Sequence, residues 1–283
     1  GGEPKCCKSF MALSLGVAVA SGKPCLGQFP VPVPGPVLLY PAEDALTTVR
    51  RRLQGICTVN QIDFSKLPLY VITTPRFQLD VQSDRVQLTE TIEKLKPRLL
   101  ILDPFVRLHT IDENASGEVA KLLQHLRALQ RLHKLSVALV HHAKKGGSLK
   151  RPGQALRGSS DFHAWGDSNL YLSRVESQLL LTVEHRAEQA CAPLRLQLCT
   201  RDDDSHLEIV RQPASIPSPQ QTTPADQILK LLAISREPLR IRTLREQAGL
   251  RHETVSAVIA DLTRRGIIHK TDAGFSLTGS PAI

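Results

Sequence analysis

Over residues 1–210, short apolar runs alternate with stretches in which apolar residues recur every three or four positions. The runs indicate buried strands and the periodic stretches indicate amphipathic helices. Strands are predicted at Val37–Tyr40, Leu69–Thr73, Arg98–Leu102 and Ser136–Val140, and helices at Ser9–Ser21, Asp44–Gln54, Arg85–Leu95 and Ser116–Lys134. In the longest helix, the apolar residues at helical spacing are Val119, Leu122, Leu123, Leu126, Leu129 and Leu132. The alternation predicts an α/β fold with a mainly parallel sheet.

The pattern changes after a segment rich in glycine and lysine that follows the fourth strand. Short strands joined by polar turns are predicted at Leu170–Ser173, Gln178–His185, Leu194–Cys199 and Leu207–Val210, as an antiparallel extension of the parallel sheet. Residues 211–224 are rich in Pro, Ser, Gln and Thr and contain no acidic residue, which is typical of a linker. We therefore predict a core domain at 1–210, a linker at 211–224 and a small domain at 225–283.

The small domain has the pattern of three helices followed by two short strands. The helices are predicted at Ala225–Ile234, Ile241–Ala248 and Glu253–Arg265, and the strands within Gly266–Lys270 and Gly274–Leu277. This order resembles a winged helix-turn-helix, in which the third helix would present Arg251, His252 and Thr254 to a DNA groove. Winged helices also serve as protein-docking modules, so both interpretations stay open.

Composition adds a preference for a polyanionic partner. The 36 Lys and Arg residues outnumber the 27 Asp and Glu residues, which gives a net charge of +9. Aromatic residues make up 4% of the chain, which disfavours a surface that stacks nucleic-acid bases. The six cysteines have no C-x-x-C pair and no Cys/His pattern at zinc spacing, which favours a reduced, cytoplasmic protein. No apolar run is long enough to predict a membrane span.

The first residues have the frame of a phosphate-binding loop, G-x-x-x-x-G-K-[ST], with one departure. Backbone N–H groups of such a loop surround phosphates, its Lys reaches the β- and γ-phosphates, and its Ser hydroxyl binds Mg²⁺. Lys8 and Ser9 hold these two positions, but Cys7 stands where the second glycine is expected. We expect the strand that leads into the loop to precede Gly1. The apolar stretch Phe10–Ala20 also imitates a signal peptide, an interpretation that the phosphate-loop frame argues against. The candidate ATP-binding residues are Gly2, Lys5, Cys6, Cys7, Lys8, Ser9 and Phe10.

Polar residues at the ends of three predicted strands are candidates for catalysis. Asp103 ends a buried strand and could hold Mg²⁺ together with Ser9, although it could equally be an ordinary turn residue. Glu43 could activate the attacking water as a general base, or merely favour the start of the next helix. His142 could sense the γ-phosphate, or simply lie solvated at a strand end.

A basic segment without acidic residues follows His142. It contains Lys144, Lys145, Lys150, Arg151 and Arg157 among four glycines, and it could contact a nucleic-acid backbone or be an ordinary solvated loop.

Four segments in a fixed order resemble the RecA-like ATPase core, and most closely the RepA-type hexameric replicative helicases of broad-host-range plasmids: Leu38–Asp44, Asp112–Gly117, Val140–Gly146 and Arg157–Ser160. The resemblance covers about residues 1–175. It implies an ATPase that binds ATP and Mg²⁺ through Lys8 and Ser9, with Glu43 as catalytic carboxylate and Asp103 as the metal-binding aspartate. It also implies a γ-phosphate sensor at His142, single-stranded DNA at the basic segment, and a hexameric ring.

The sequence departs from that family at two positions. Cys7 replaces a glycine of the phosphate loop, and Asp167 stands where the family carries its inter-subunit arginine finger. Arg157 and Arg174 are the remaining candidates for that arginine. Two hypotheses follow: an ATP-hydrolysing motor that acts on plasmid, phage or mobile DNA, or a catalytically impaired regulator or initiator that binds DNA through its winged helix.

Overall fold

The computed structural model describes residues 1–142, 161–175, 178–189, 191–201, 204–210, 224–235 and 237–278. The chain divides into two compact units, Gly1–Arg211 and Gln212–Ile283. In the described residues, no helix combines the length and the apolar character that crossing a membrane requires.

The first unit contains a parallel four-stranded sheet with strand order β2-β1-β3-β4. Its strands are β1 (Val37–Pro41), β2 (Leu69–Val71), β3 (Leu99–Asp103) and β4 (Ser136–Leu139). The helices of this region are α1 (Lys8–Ser21), α2 (Leu46–Val59), α3 (Gln82–Leu95) and α4 (Ser116–His133), with 3₁₀ turns at Phe64–Lys66 and Phe105–Arg107. One apolar cluster joins the sheet to α3 and α4, and another joins it to α1 and α2. Burial on both faces explains why β3 is a continuous apolar run.

A separate antiparallel sheet with order β5-β6-β7-β8 lies in the same unit. Its strands are β5 (Ser168–Val175), β6 (Gln178–His185), β7 (Leu194–Arg201) and β8 (Asp204–Ile209), preceded by the short helix α5 (Asp161–Trp165). Gly2 connects the two sheets, because it forms parallel bridges to His142, just beyond β4, and to Leu172 in β5. In the described part of the chain, the predicted antiparallel extension is therefore joined to the parallel sheet through Gly2.

Not every apolar position in the helical pattern of α4 is buried. Leu126 is fully buried, whereas Leu132, which the pattern includes, is 72% exposed near the end of the helix. Leu126→Ala is expected to lower the free energy of unfolding by about 2–5 kcal/mol, because it removes packed methyl groups and leaves a cavity. Leu132→Ala is the matched control and should change it by less than about 0.5 kcal/mol. Chemical denaturation measures both, and equal losses would contradict this orientation of α4.

The second unit contains three helices and a two-stranded antiparallel sheet. The elements are α6 (Pro224–Ile234), α7 (Ile241–Ala248), α8 (His252–Arg264), β9 (Ile268–Lys270) and β10 (Phe275–Leu277). The buried residues Ile228, Leu244, Val255 and Ile259 bring the three helices together in one core, which also includes Ile268 of β9. Gly249 takes the left-handed conformation that ends α7 (φ 64°), a role for which glycine is suited.

Candidate nucleotide-binding site

The first loop of the chain has the backbone conformation of an anion-binding nest. Lys5 and Cys7 both take left-handed conformations, with φ of 63° and 56°, and α1 begins directly afterwards at Lys8. Left-handed and right-handed residues in succession turn neighbouring backbone N–H groups toward one point, where they bind anions. The N-terminus of α1 adds its partial positive charge, and its first turn carries no acidic residue.

Cys7 is strained, as Lys5 is, and it stands where the phosphate-loop motif has a glycine. A left-handed conformation costs an L-residue about 1–2 kcal/mol relative to the right-handed one, and glycine avoids this cost. The structure keeps the loop in this conformation although the residue is cysteine. Burial raises the pKa of the Cys7 thiol, so the group is held neutral at the position where phosphates would approach.

Gly2 does not line the cavity described next; it allows a close backbone approach. A side chain at this position would place its Cβ 2.2 Å from the carbonyl oxygen of Leu172. Glycine is therefore required where the loop passes between the end of β4 and β5.

A cavity of about 300 Å³ lies against the loop. It brings together residues from the loop, from α1 and α2 and from the ends of strands that are far apart in sequence. The predicted residues that line it are Lys5, Cys6, Cys7, Lys8, Ser9, Phe10, Glu43, Asp103 and His142, together with Asp44, Arg52, Pro104 and Val140. Because β1, β3 and β4 are parallel, their carboxyl ends meet at one edge of the sheet, which is where α/β proteins bind ligands.

Asp103 and Ser9 form the part of the cavity that could hold a cation. Asp103 is 8% exposed at the end of β3, and its carboxylate accepts a hydrogen bond from the Ser9 side chain. Burial raises the pKa of Asp103 to about 6, and the Ser9 hydrogen bond opposes that shift. A buried carboxylate beside a hydroxyl is a hard oxygen donor set of the kind that Mg²⁺ prefers. The residues therefore fit a Mg²⁺ ion that accompanies phosphates.

The raised pKa of Asp103 predicts a measurable pH dependence of stability. In the unfolded chain an aspartate titrates near 4, so between about pH 4 and pH 6 the folded chain binds the additional proton. The protonated carboxyl therefore contributes to the free energy of unfolding at low pH, by about 3 kcal/mol at most. This contribution is lost as the pH rises through 6. Urea unfolding without nucleotide and Mg²⁺ should show the native chain losing stability relative to Asp103→Asn over this range. Parallel profiles for the two proteins would contradict the assignment.

Two adjacent carboxylates follow β1 and have different partners. Glu43 accepts a hydrogen bond from Arg107 Nε at 2.7 Å, and both side chains are about half exposed. Asp44 forms an ion pair with Arg52 of α2, whose guanidinium also lies 5.0 Å from the ring centroid of Phe10. Asp44 therefore links β1 to α2 and α1, whereas the contact that the described residues give Glu43 is a surface ion pair. Arg52 and Arg107 belong to no motif, so sequence patterns do not predict either residue at this site.

This local structure also changes the start of α2. The sequence predicted a helix from Asp44, but Ala45 is extended (ψ 141°) and the helix begins at Leu46. Asp44 precedes the helix, where its side chain is available to Arg52.

His142 lies at the edge of the cavity, adjacent to Gly2. Its neighbour His141 points into a buried cluster that no motif predicts. His141 Nε2 lies 3.9 Å from Glu113 Oε1, and His109 Nε2 lies 3.5 Å from the same oxygen. Burial lowers the pKa of His141 to about 4, and Glu113 opposes that shift. Glu113 belongs to the Asp112–Gly117 segment of the family resemblance, so the cluster connects that segment with the residue beside His142.

Of the two arginine-finger candidates, the structure describes Arg174. Arg174 NH2 donates a hydrogen bond to the Lys5 carbonyl oxygen at 3.3 Å, so its guanidinium contacts the phosphate loop of its own chain. Arg157 lies outside the described residues. Asp167, at the position of the family's finger, forms ion pairs with Arg127 at 2.8 Å and Arg186 at 3.1 Å, which together lower its pKa.

The predicted DNA-binding residues are only partly described. Lys144, Lys145, Lys150, Arg151 and Arg157 all lie outside the described residues. In the second unit, Arg251 is exposed immediately before α8 and Thr254 is half-buried in its first turn. His252 begins α8, and its side chain also lies outside the described part of the chain.

Comparison with solved structures identifies the fold. The crystal structure of the RadB recombinase matches with a TM-score of 0.54 and 15% identity, over 74% of this chain and 88% of that chain. A DnaB-like replicative helicase, solved for its interactions with primase, matches with a TM-score of 0.54 and 12% identity, over 72% and 55%. A further structure, of an ATPase domain, matches with the same TM-score and 15% identity, over 72% and 82%. The core therefore has the RecA-like P-loop ATPase fold, as the sequence predicted.

A family model described as an AAA domain matches residues 1–148. This match spans more than half of the 283 residues and includes the nest, Glu43, Asp103 and His142. The chain therefore belongs to the AAA_25 family of AAA domains.

Proposed function

We propose that this protein is an ATP-hydrolysing motor that acts on DNA. The observation that carries the proposal is the convergence of Lys8, Ser9, Asp103, Glu43 and His142 on one cavity beside an anion-binding nest. Each of these side chains has the chemistry that one step of phosphoryl transfer requires.

The proposed roles follow from placement. The backbone N–H groups around Cys7 bind phosphate oxygens, and the Lys8 ammonium compensates their charge. Ser9 and Asp103 hold Mg²⁺, while Glu43 accepts a proton from the attacking water once Arg107 releases it. Bound ATP would supply the phosphoanhydride bond that is cleaved, and Mg²⁺ held by Ser9 and Asp103 would supply positive charge beside the phosphates. His142, next to Gly2 and followed by the basic segment, transmits the state of the γ-phosphate to that segment.

Action on DNA is supported by charge and by similarity. The segment that follows His142 is basic without acidic residues, which suits contacts with a phosphate backbone. The matched structures include a recombinase and a replicative helicase. We propose single-stranded DNA at this segment and duplex DNA at the second unit, as a winged helix that contacts DNA through Arg251, His252 and Thr254. The motif order supports a cytoplasmic, RepA-like helicase of plasmid, phage or mobile DNA.

The proposed assembly is a homo-oligomeric ring, and a hexamer is the expected form. Arg174 contacts its own loop through Lys5, so we assign it to the phosphates of the same subunit. Arg157 is then the candidate for contact with a neighbour's phosphates. Mass photometry with a non-hydrolysable ATP analogue tests the assembly, because a ring is expected to form or tighten when nucleotide binds.

Cys7 favours a second candidate function. Its strained conformation at the phosphate loop could reduce turnover so far that nucleotide only sets the conformation. In that case the protein would be a regulator or initiator that binds DNA through the second unit.

ATP hydrolysis by the native chain and by Cys7→Gly, each with and without single-stranded DNA, separates the two functions. We expect DNA-stimulated turnover in the native chain and an increase of less than about 30-fold in Cys7→Gly, because relieving about 1–2 kcal/mol of strain changes a rate by at most about that factor. Cys191→Gly, which changes an exposed cysteine away from the cavity, is the matched control. Turnover that appears only in Cys7→Gly would overturn the motor and favour the regulator.

A further inference from the structure

The hairpin formed by β7 and β8 brings together three side chains that the proposed ATPase does not use. Cys199 of β7 lies directly opposite His206 of β8 in the strand register, and Glu208 follows two positions later on the same strand. Because side chains alternate between the two faces of a sheet, all three lie on one face. One potential ligand atom from each lies within 4.8 Å of those of the other two.

Glu208 lies between the other two side chains. Its Oε1 is 2.7 Å from His206 Nε2, and its Oε2 accepts a hydrogen bond from Cys199 Sγ at 3.5 Å. Around a tetrahedral zinc ion, bond lengths of about 2.0–2.3 Å place neighbouring ligand atoms roughly 3.3–3.8 Å apart. The sulfur–oxygen separation already has this value. The His206 Nε2–Glu208 Oε1 separation is shorter, at hydrogen-bond distance, so Nε2 and a carboxylate oxygen would have to move apart to admit the ion.

His206 is the most buried residue of the cluster. The residue is 3% exposed, and its Nδ1 is buried without a hydrogen bond in the described part of the chain. An unsatisfied buried nitrogen such as Nδ1 commonly marks the site of a water molecule, whereas Nε2, which faces Glu208 Oε1, is the nitrogen directed into the cluster.

We propose that Cys199, His206 and Glu208 bind a zinc ion. A thiolate, an imidazole and a carboxylate together favour Zn²⁺ over Mg²⁺ or Ca²⁺, which prefer oxygen ligands alone. Gln197 donates a hydrogen bond to Cys199 Sγ at 3.1 Å, a contact that would stabilise the thiolate when the metal binds. The site is separate from the ATP cavity, with which it shares no residue.

The ion would connect β8, the edge strand of the antiparallel sheet, to the neighbouring strand β7. β8 is the last strand in the sheet order, and it packs closely on α2, where a side chain at Gly55 would place its Cβ 3.0 Å from Ser205 N. A metal bridge between β7 and β8 would therefore stabilise the strand that covers α2. The thiol proton is displaced when zinc binds, so affinity should rise with pH.

Metal titration of the full chain tests this site. After treatment with chelator, the native chain is expected to take up one equivalent of Zn²⁺ with submicromolar affinity, measured by competition with a chromophoric chelator. Co²⁺ in place of Zn²⁺ should produce the near-ultraviolet sulfur-to-cobalt charge-transfer band, which requires a cysteine ligand. Zinc should also raise the Tm of the native chain.

Two conservative variants identify the ligands. Cys199→Ser should abolish the charge-transfer band and weaken zinc binding by about 100-fold or more, and Glu208→Gln should weaken binding while keeping the band. Cys191→Ser and His185→Asn, in the same region but outside the cluster, are the matched controls and should bind zinc like the native chain. Circular dichroism in excess chelator checks that each variant is folded.

Two results would overturn the proposed zinc site. Absence of stoichiometric zinc binding by the native chain would overturn the proposal and leave a hydrogen-bonded cluster. A charge-transfer band that persists in folded Cys199→Ser would place the metal at another cysteine, with the same consequence. Because these measurements use no nucleotide, their failure would leave the proposed ATPase unaffected.

Discussion

Lys8→Ala is expected to reduce ATP turnover by more than about 100-fold, the size of effect seen when one preorganised charge that stabilises a transition state is removed. Lys8 is the first residue of α1, and its Nζ donates a hydrogen bond to the Glu3 carbonyl oxygen at 2.7 Å. The side chain therefore lies back over the loop that would surround the phosphates. Burial lowers the pKa of Lys8, whereas the carboxylates of Asp103 and Glu43 favour its charged form.

Phosphate release and binding of a fluorescent ATP analogue measure this effect. Lys23→Ala is the matched control, because Lys23 is exposed just beyond the other end of the same helix. Lys8→Arg is expected to recover little activity, since a planar guanidinium does not replace a compact ammonium in a narrow loop. Turnover of Lys8→Ala within about threefold of the native rate would mean that the nest does not bind the reacting phosphates, because loss of such a charge costs far more.

Glu43→Gln is expected to reduce turnover by about 10²–10⁴-fold while nucleotide affinity changes little, because a general base acts on the water and not on the phosphates. The amide has the shape of the carboxylate but cannot accept the proton. The Glu43–Arg107 ion pair is about half exposed, so its loss should cost less than about 1 kcal/mol of stability. Single-turnover hydrolysis, measured beside equilibrium binding, separates the two effects.

Asp44→Asn is the matched control for this prediction. It removes the neighbouring carboxylate, whose partner is Arg52 of α2, and should lower turnover by much less than Glu43→Gln. Stronger inactivation by Asp44→Asn than by Glu43→Gln would exchange the two roles and contradict the assignment of Glu43 as the base.

The α/β character and most elements of the core could be predicted because their signals are local. β3 is a continuous apolar run that ends at Asp103, and a strand buried on both faces produces this pattern in any sequence context. The parallel order then places the ends of β1, β3 and β4 at one edge of the sheet, which explains why Glu43, Asp103 and His142 line one cavity.

Other features depend on partners that periodicity cannot identify. Leu132 satisfies the helical pattern of α4 but is left exposed by the described residues, because it lies near the end of the helix. Asp44 could have been the first residue of a helix, but its ion pair with Arg52 lies across another element. Arg174 carries no motif, and only the path of β5 brings it to the phosphate loop of its own chain.

The sequence by itself determined the α/β pattern, the phosphate-loop frame and the polar residues at strand ends, because each is encoded by neighbours along the chain. The tertiary structure decided which side chains meet. It showed that Cys7 occupies a left-handed conformation, that Ser9 contacts Asp103, and that Cys199, His206 and Glu208 converge. The six residues between Cys199 and His206 match no zinc-binding spacing, and it is the strand register that makes these two residues direct neighbours. Register depends on hydrogen bonds between strands, a property of two segments at once that no single stretch of sequence specifies.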